Sequence, residues 1–254
     1  MAFDPNFNSE FTVFPASDFV GMDFKDWTYQ EIGPTCTITK KINSDINAPS
    51  LFVIPNITNE SFYSVAKIIQ MTETRLTTYH KIHIINWCHK DDTIKNFKDR
   101  AELISDEIKS DDINVKYDTM NKFLNNSAKL LNYIITKGLK SNNIHLLGCG
   151  VGGGIAIQLL PFDNIYNGLF LFEPVSPLNI CNLLEIKHRL QKIKFRISWN
   201  ATDNILQSNE KKHYEMALAY FKRKYNSNNY TCKYYGYSDY EINPDFICEL
   251  ISNY

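Results

Sequence analysis

The chain has 254 residues, 44% hydrophobic and 22% charged, enough to bury one substantial core without a second domain. Lys and Arg number 27 against 28 Asp and Glu, a formal charge of -1, so there is no basic excess of the kind that nucleic-acid binding draws on. No run approaches the ~20 apolar residues of a membrane-spanning helix.

The first residues, Met-Ala-Phe-Asp-Pro-Asn, carry neither a basic n-region nor an apolar h-region, which points to a cytoplasmic protein. Cys36, Cys88, Cys149, Cys181, Cys232 and Cys248 are scattered without a C-x-x-C pair, a pattern of reduced thiols rather than of zinc ligands or disulfides. His80, His83, His145, His188 and His213 show no metal spacing. No metal and no cofactor are expected. The expected partner is a protein or a small ligand, not nucleic acid.

Residues 1–50 read as an N-terminal arm and an edge hairpin belonging to the same domain as the core at 51–254. Met1 to about Asp26 lacks periodicity and is expected to lie as an arm on the surface. Trp27 to Ile32 and Thr35 to Ile42 are β-biased and flank the turn pair Gly33-Pro34, which predicts an antiparallel hairpin at the sheet edge. Leu51-Phe-Val-Ile-Pro is a short buried strand. Asn59-Glu-Ser then opens a helix with Phe62, Val65, Ile68 and Ile69 on one face. His80 to Trp87 gives a second buried strand, and Ile94, Phe97, Ala101, Ile104 and Ile108 mark a helix from about Thr93 to Lys109. A longer helix is predicted from Asp118 to Lys137. Its stripe is Met120, Phe123, Leu124, Leu130, Leu131, Ile134 and Ile135, and Gly138 is its expected stop.

Asn142 to Leu160 then reads strand, glycine turn, helix. Gly168 to Phe172 and Ile193 to Trp199 are further strands, with Tyr230 to Tyr237 the last, between helical segments near Tyr214–Phe221 and Phe246–Leu250. Strands alternating with helices predict a mainly parallel sheet covered on both faces.

The glycine turn admits three chemistries. Gly148, Gly150 and Gly153 spell G-x-G-x-x-G for a dinucleotide, with Glu173 placed to hold a ribose. Leu147-Gly-Cys-Gly-Val-Gly resembles the first motif of S-adenosylmethionine methyltransferases. Gly148-x-Gly150-x-Gly152 has the spacing of a nucleophile elbow. Dinucleotide and methyltransferase folds place their turn after the first strand, whereas two parallel strands precede it here and about three follow.

From Leu51 to Tyr254 the order of elements resembles the α/β-hydrolase fold. Four stretches carry the resemblance: Gly148-Cys-Gly-Val-Gly-Gly-Gly-Ile-Ala-Ile-Gln-Leu as the elbow and its helix, Tyr166-Asn-Gly-Leu-Phe-Leu-Phe-Glu-Pro as the next strand, Trp199-Asn-Ala-Thr-Asp203 as the acid loop, and Gly236 to Phe246 as the loop into the final helix. The resemblance implies an α/β fold with a sheet of about eight strands, an elbow after the fifth, and a lid between Pro174 and Lys192 that is short or absent. It puts Gly150 at the nucleophile position, Tyr237 at the histidine position, and Pro55-Asn56 where the oxyanion loop should stand. Only Asp203 survives from the triad, and Glu173 occupies another place from which some members supply the acid.

Glycine has no side chain to attack a carbonyl, a tyrosine of pKa near ~10 is a poor base at neutral pH, and proline has no N–H to give an oxyanion. The elbow also resembles that of the N-myc downstream-regulated proteins, α/β-hydrolase-like pseudoenzymes whose elbow lacks serine; that likeness is confined to the elbow and its flanking helices. The expectation is a pseudoenzyme with Asp203 bonded by Tyr237. A hydrolase using Cys88 or Cys149 is the alternative within the fold. Taking Cys149 as nucleophile would set Leu147 and Val151 at the two positions that must be small. Cys88 and His89, adjacent on an extended segment, point apart.

Overall fold

A computed structural model of the chain describes residues 13–15, 26–32, 35–56, 59–86, 124–139, 141–163, 165–172, 174, 193–200, 219, 223, 230–235 and 251. Nine strands lie among them: β1 (Val13–Pro15), β2 (Thr28–Ile32), β3 (Thr35–Lys41), β4 (Ser50–Ile54), β5 (Lys81–Asn86), β6 (Ile144–Cys149), β7 (Tyr166–Phe172), β8 (Lys194–Asn200) and β9 (Tyr230–Tyr235). They form one sheet in the order β1-β2-β3-β5-β4-β6-β7-β8-β9. From β5 to β9 every pair is parallel, while β1, β2 and β3 join antiparallel at one end.

The central strands are buried along their length, as the apolar run Leu51–Ile54, and Ile144–Leu147 with His145 its one polar member, require of parallel strands covered on both faces. Helix α1 (Asn59–Thr72) lays Phe62, Val65 and Ile69 on the face that carries Leu51, Val53, Ile82, Ile84, Leu147 and Phe170, and these join in one cluster. Its buried positions follow the predicted stripe. Helix α2 occupies 124–133 of the described residues, with Leu124 and Leu131 buried and Leu130 half-buried; Ile134 and Ile135, just after it, are buried too. Helix α3 (Val151–Leu159) follows the glycine turn and crosses the other face of the sheet, where a Cβ on Gly148 would come 2.5 Å from the Cα of Gly153.

Three expectations change. The arm contributes a strand: Val13, Phe14 and Pro15 pair with Gln30, Tyr29 and Thr28, so β1, not the hairpin, forms this edge, and the glycine turn follows the sixth strand instead of the fifth. A strand of three residues is set by backbone pairing to its neighbour, and it is too short to display alternation. Gly138 does not end α2, which widens into a π turn over Ile134–Leu139 with Gly138 inside it. The hydroxyl of Thr136, within this turn, donates to the carbonyl of Asn132 at 2.7 Å. β9 covers Tyr230–Tyr235, and the expected continuation to Tyr237 lies outside the described residues. The helix predicted near Thr93 to Lys109 and the short segment expected between Pro174 and Lys192 lie outside the described residues.

Candidate functional site

The route of the chain through the sheet locates the site. After β4 the chain passes through α1 to β5 on one side, whereas β6 pairs on the other side of β4. Connections leaving neighbouring strands in opposite directions open a crevice at the carboxyl edge, where ligands of open α/β sheets bind. Two loops meet there: Pro55-Asn56 after β4 and the Gly150 turn after β6.

Gly150 has φ 55° and ψ -127°, a backbone region that L side chains rarely adopt. Its N–H donates to the carbonyl of Phe172 at 3.1 Å, and its own carbonyl accepts from the N–H of Gly153 at 2.9 Å. The turn is thereby tied to β7 and to the first turn of α3. A Cβ on Gly152 would run into the backbone carbonyl of Ile54 and come 2.5 Å from that of Pro55. With Gly148 opposing Gly153, the positions two before and two after Gly150 both require the absence of a side chain, the demand of a strained strand-to-helix elbow.

Asn56 completes the arrangement. The N–H of Val151 donates to its Oδ1 at 3.3 Å, and a Cβ on Gly150 would lie 3.1 Å from its Cγ and 3.3 Å from its Oδ1. In an elbow the N–H after the nucleophile faces the oxyanion. Here that N–H is held by an amide oxygen of the protein itself. The sequence marks Asn56 as an oxyanion-loop position but gives its side chain no role; the available signal was residue type, since Asn is among the strongest helix caps.

The remaining candidates divide plainly. Pro55 sits beside Gly152 and offers no N–H. Cys149 ends β6 on the α1 face, 3% exposed within the core cluster, and not in the turn beside Asn56. Gly148, Gly150 and Gly153 do lie together, but the first-turn N–H of Val151 is already engaged, and the sheet order with its antiparallel hairpin differs from the dinucleotide order. β8 and β9 end at Asn200 and Tyr235 on the same edge as the turn. Asp203, Tyr237, Glu173, Cys88 and His89 lie outside the described residues, as does the expected bond between Tyr237 and Asp203. Among the described residues no group of three His, Cys, Asp or Glu is placed to hold a metal ion, and no helix is long and apolar enough to cross a membrane.

Two of the described histidines, His83 and His145, are buried, whereas His80 is half-exposed. His83 is buried with Nδ1 2.8 Å from the hydroxyl of Thr39; burial, with Lys81 and His80 adding to it, pushes its pKa down to about 3. His145 stacks edge-on against Tyr79 and Phe170, its Nδ1 3.3 Å from the Tyr79 hydroxyl, and burial beside Lys194 pushes it down to about 4. The Tyr79 hydroxyl donates to the carbonyl of Ile251 at 3.1 Å, and burial raises its pKa far above the ordinary value. His145 precedes Gly150 by five positions on an extended strand, about 16 Å, too far to act as a base at the turn.

Sheet order, elbow and flanking helices define an α/β-hydrolase fold. The chain is similar to a predicted CIB-like hydrolase from Thermoplasma acidophilum, with 13% identity, a TM-score of 0.55, and 89% of this chain covering 95% of that one. It is similar also to a protein assigned as the lipase lip1 of Acinetobacter baumannii, with 13% identity, a TM-score of 0.51, and coverage of 92% and 90% respectively. No family profile matches the chain, and no curated protein matches it.

Proposed function

We propose that the chain is a catalytically inactive α/β-hydrolase-like protein that acts through a protein partner or by passive binding of a small ligand in the disarmed pocket. On this reading it is a single cytoplasmic domain whose site is a remnant, with Gly150, Asp203 and Tyr237 at the former triad positions and Pro55 and Asn56 at the former oxyanion loop. The observation that carries the reading is the turn itself: Gly150 keeps the strained elbow geometry without a side chain to present, and Asn56 sits on the N–H that hydrolysis would need. Either feature alone would cost a hydrolase most of its rate, since nucleophile and oxyanion donor act on the same intermediate. The substitution of histidine by Tyr237 adds a third loss, because a phenol does not accept the proton of a nucleophile at neutral pH.

The test is turnover of activated 4-nitrophenyl esters, from acetyl to dodecanoyl, by the purified chain. No rate above buffer is expected at any acyl length. Saturable turnover would overturn the reading, and its loss on changing Cys88 or Cys149 would establish an unorthodox nucleophile.

A further inference from the structure

The loop after β4 does more than lack an oxyanion donor. Val151 is the first residue of α3, and its N–H is one of the first-turn amides that have no intrahelical acceptor. A cap side chain at position 150 would reach the second or third helical amide rather than this one, and the acceptor comes instead from Asn56, 95 positions earlier in the chain. The same side chain stands against the place where a Cβ at position 150 would project, with its Cγ, Oδ1 and Cβ at 3.1, 3.3 and 3.4 Å. Loss of a nucleophile leaves room above the turn, and one asparagine fills that room while binding the amide. We propose that Asn56 is an autoinhibitory stopper: its side-chain amide imitates a bound carbonyl, so a ligand's carboxylate or carbonyl oxygen reaches the Val151 N–H only after Asn56 has turned away. The inference rests on reading the Gly150 turn as a former elbow, but its test reads no turnover, so the two fail separately.

The experiment follows the Val151 amide by NMR in the whole chain, in wild type, Asn56→Ala and Asn56→Asp. In Asn56→Ala, hydrogen exchange at Val151 is expected to rise about ten-fold or more, while the Gly153 amide, bonded to the carbonyl of Gly150, stays as it is. Asn56→Asp keeps an acceptor oxygen at the same reach and is expected to keep the protection. Sodium acetate is the ligand probe: it should shift the Val151 resonance saturably in Asn56→Ala and leave wild type unmoved. Should Asn56→Ala fail to fold, Asn56→Ser, whose side chain is too short to span the distance, gives the same readout. Exchange in the truncated variant within about two-fold of wild type would overturn the proposal. So would acetate shifting wild type as it shifts the variant.

Discussion

The side-chain oxygen of Asn56 lies 3.3 Å from the backbone nitrogen of Val151, a bond between the loop after β4 and the start of α3 that crosses the crevice of the sheet. The consequences run to stability as well as to chemistry.

Gly150→Ser should lower stability and create no esterase. The left-handed backbone at φ 55° costs a non-glycine residue about 1 to 3 kcal/mol, and the new side chain would start against Asn56. Thermal unfolding and ester turnover of this variant, alone and with Tyr237→His, check both halves of the statement. Appreciable turnover by Gly150→Ser at an unchanged melting temperature would contradict it.

Gly152→Ala should be the more damaging change. Its added methyl meets the backbone carbonyls of Ile54 and Pro55, which cannot rotate aside as the Asn56 side chain can. A loss of about 3 kcal/mol is expected in urea unfolding, with slope unchanged. A smaller loss than that of Gly150→Ala would show that β4 and α3 are not in close contact.

The buried histidines make the fold acid-sensitive. His83 and His145 titrate at about 3 and about 4 in the native state, below the ordinary 6.5, so the unfolded chain takes up protons that the native chain refuses. Their contribution is complete above pH 6.5 and falls, by about 1.4 kcal/mol per pH unit for each, as pH drops toward 4. Urea midpoints between pH 7 and 4.5 should decline less steeply in His83→Gln and in His145→Gln than in wild type. Parallel declines in all three would rule the two groups out as the cause.

Tyr79→Phe removes the hydroxyl that donates to Ile251 and meets His145. Both former partners would stay buried, so a cost of about 1 to 3 kcal/mol is expected, read as a lower urea midpoint. An unchanged midpoint would mean that the hydroxyl contributes nothing net.

Much of this architecture was legible in residue pattern. Apolar runs such as Leu51–Ile54 and Leu169–Phe172 announce buried parallel strands, and paired β-biased runs around Gly33-Pro34 announce a hairpin; both appear. The glycine spacing at Gly148, Gly150 and Gly152 marks a tight strand-to-helix turn because sterics at three fixed offsets leave a visible trace. β1 was illegible, since three residues gain their structure from a partner strand. The role of Asn56 was illegible for a related reason: its bond is tertiary, to a residue 95 positions away, and the local pattern around Pro55-Asn56 carries no sign of it. The π turn at the end of α2 was illegible as well, since hydrophobic periodicity does not register a local widening of the helix.

The most direct test of the central claim is intact-mass analysis after incubation with a fluorophosphonate, which phosphonylates an activated nucleophile in an elbow and displaces fluoride. The account predicts an unmodified mass, because Gly150 offers no hydroxyl and the Val151 N–H is held by Asn56. A stoichiometric adduct on the folded chain, lost on unfolding beforehand, would contradict it.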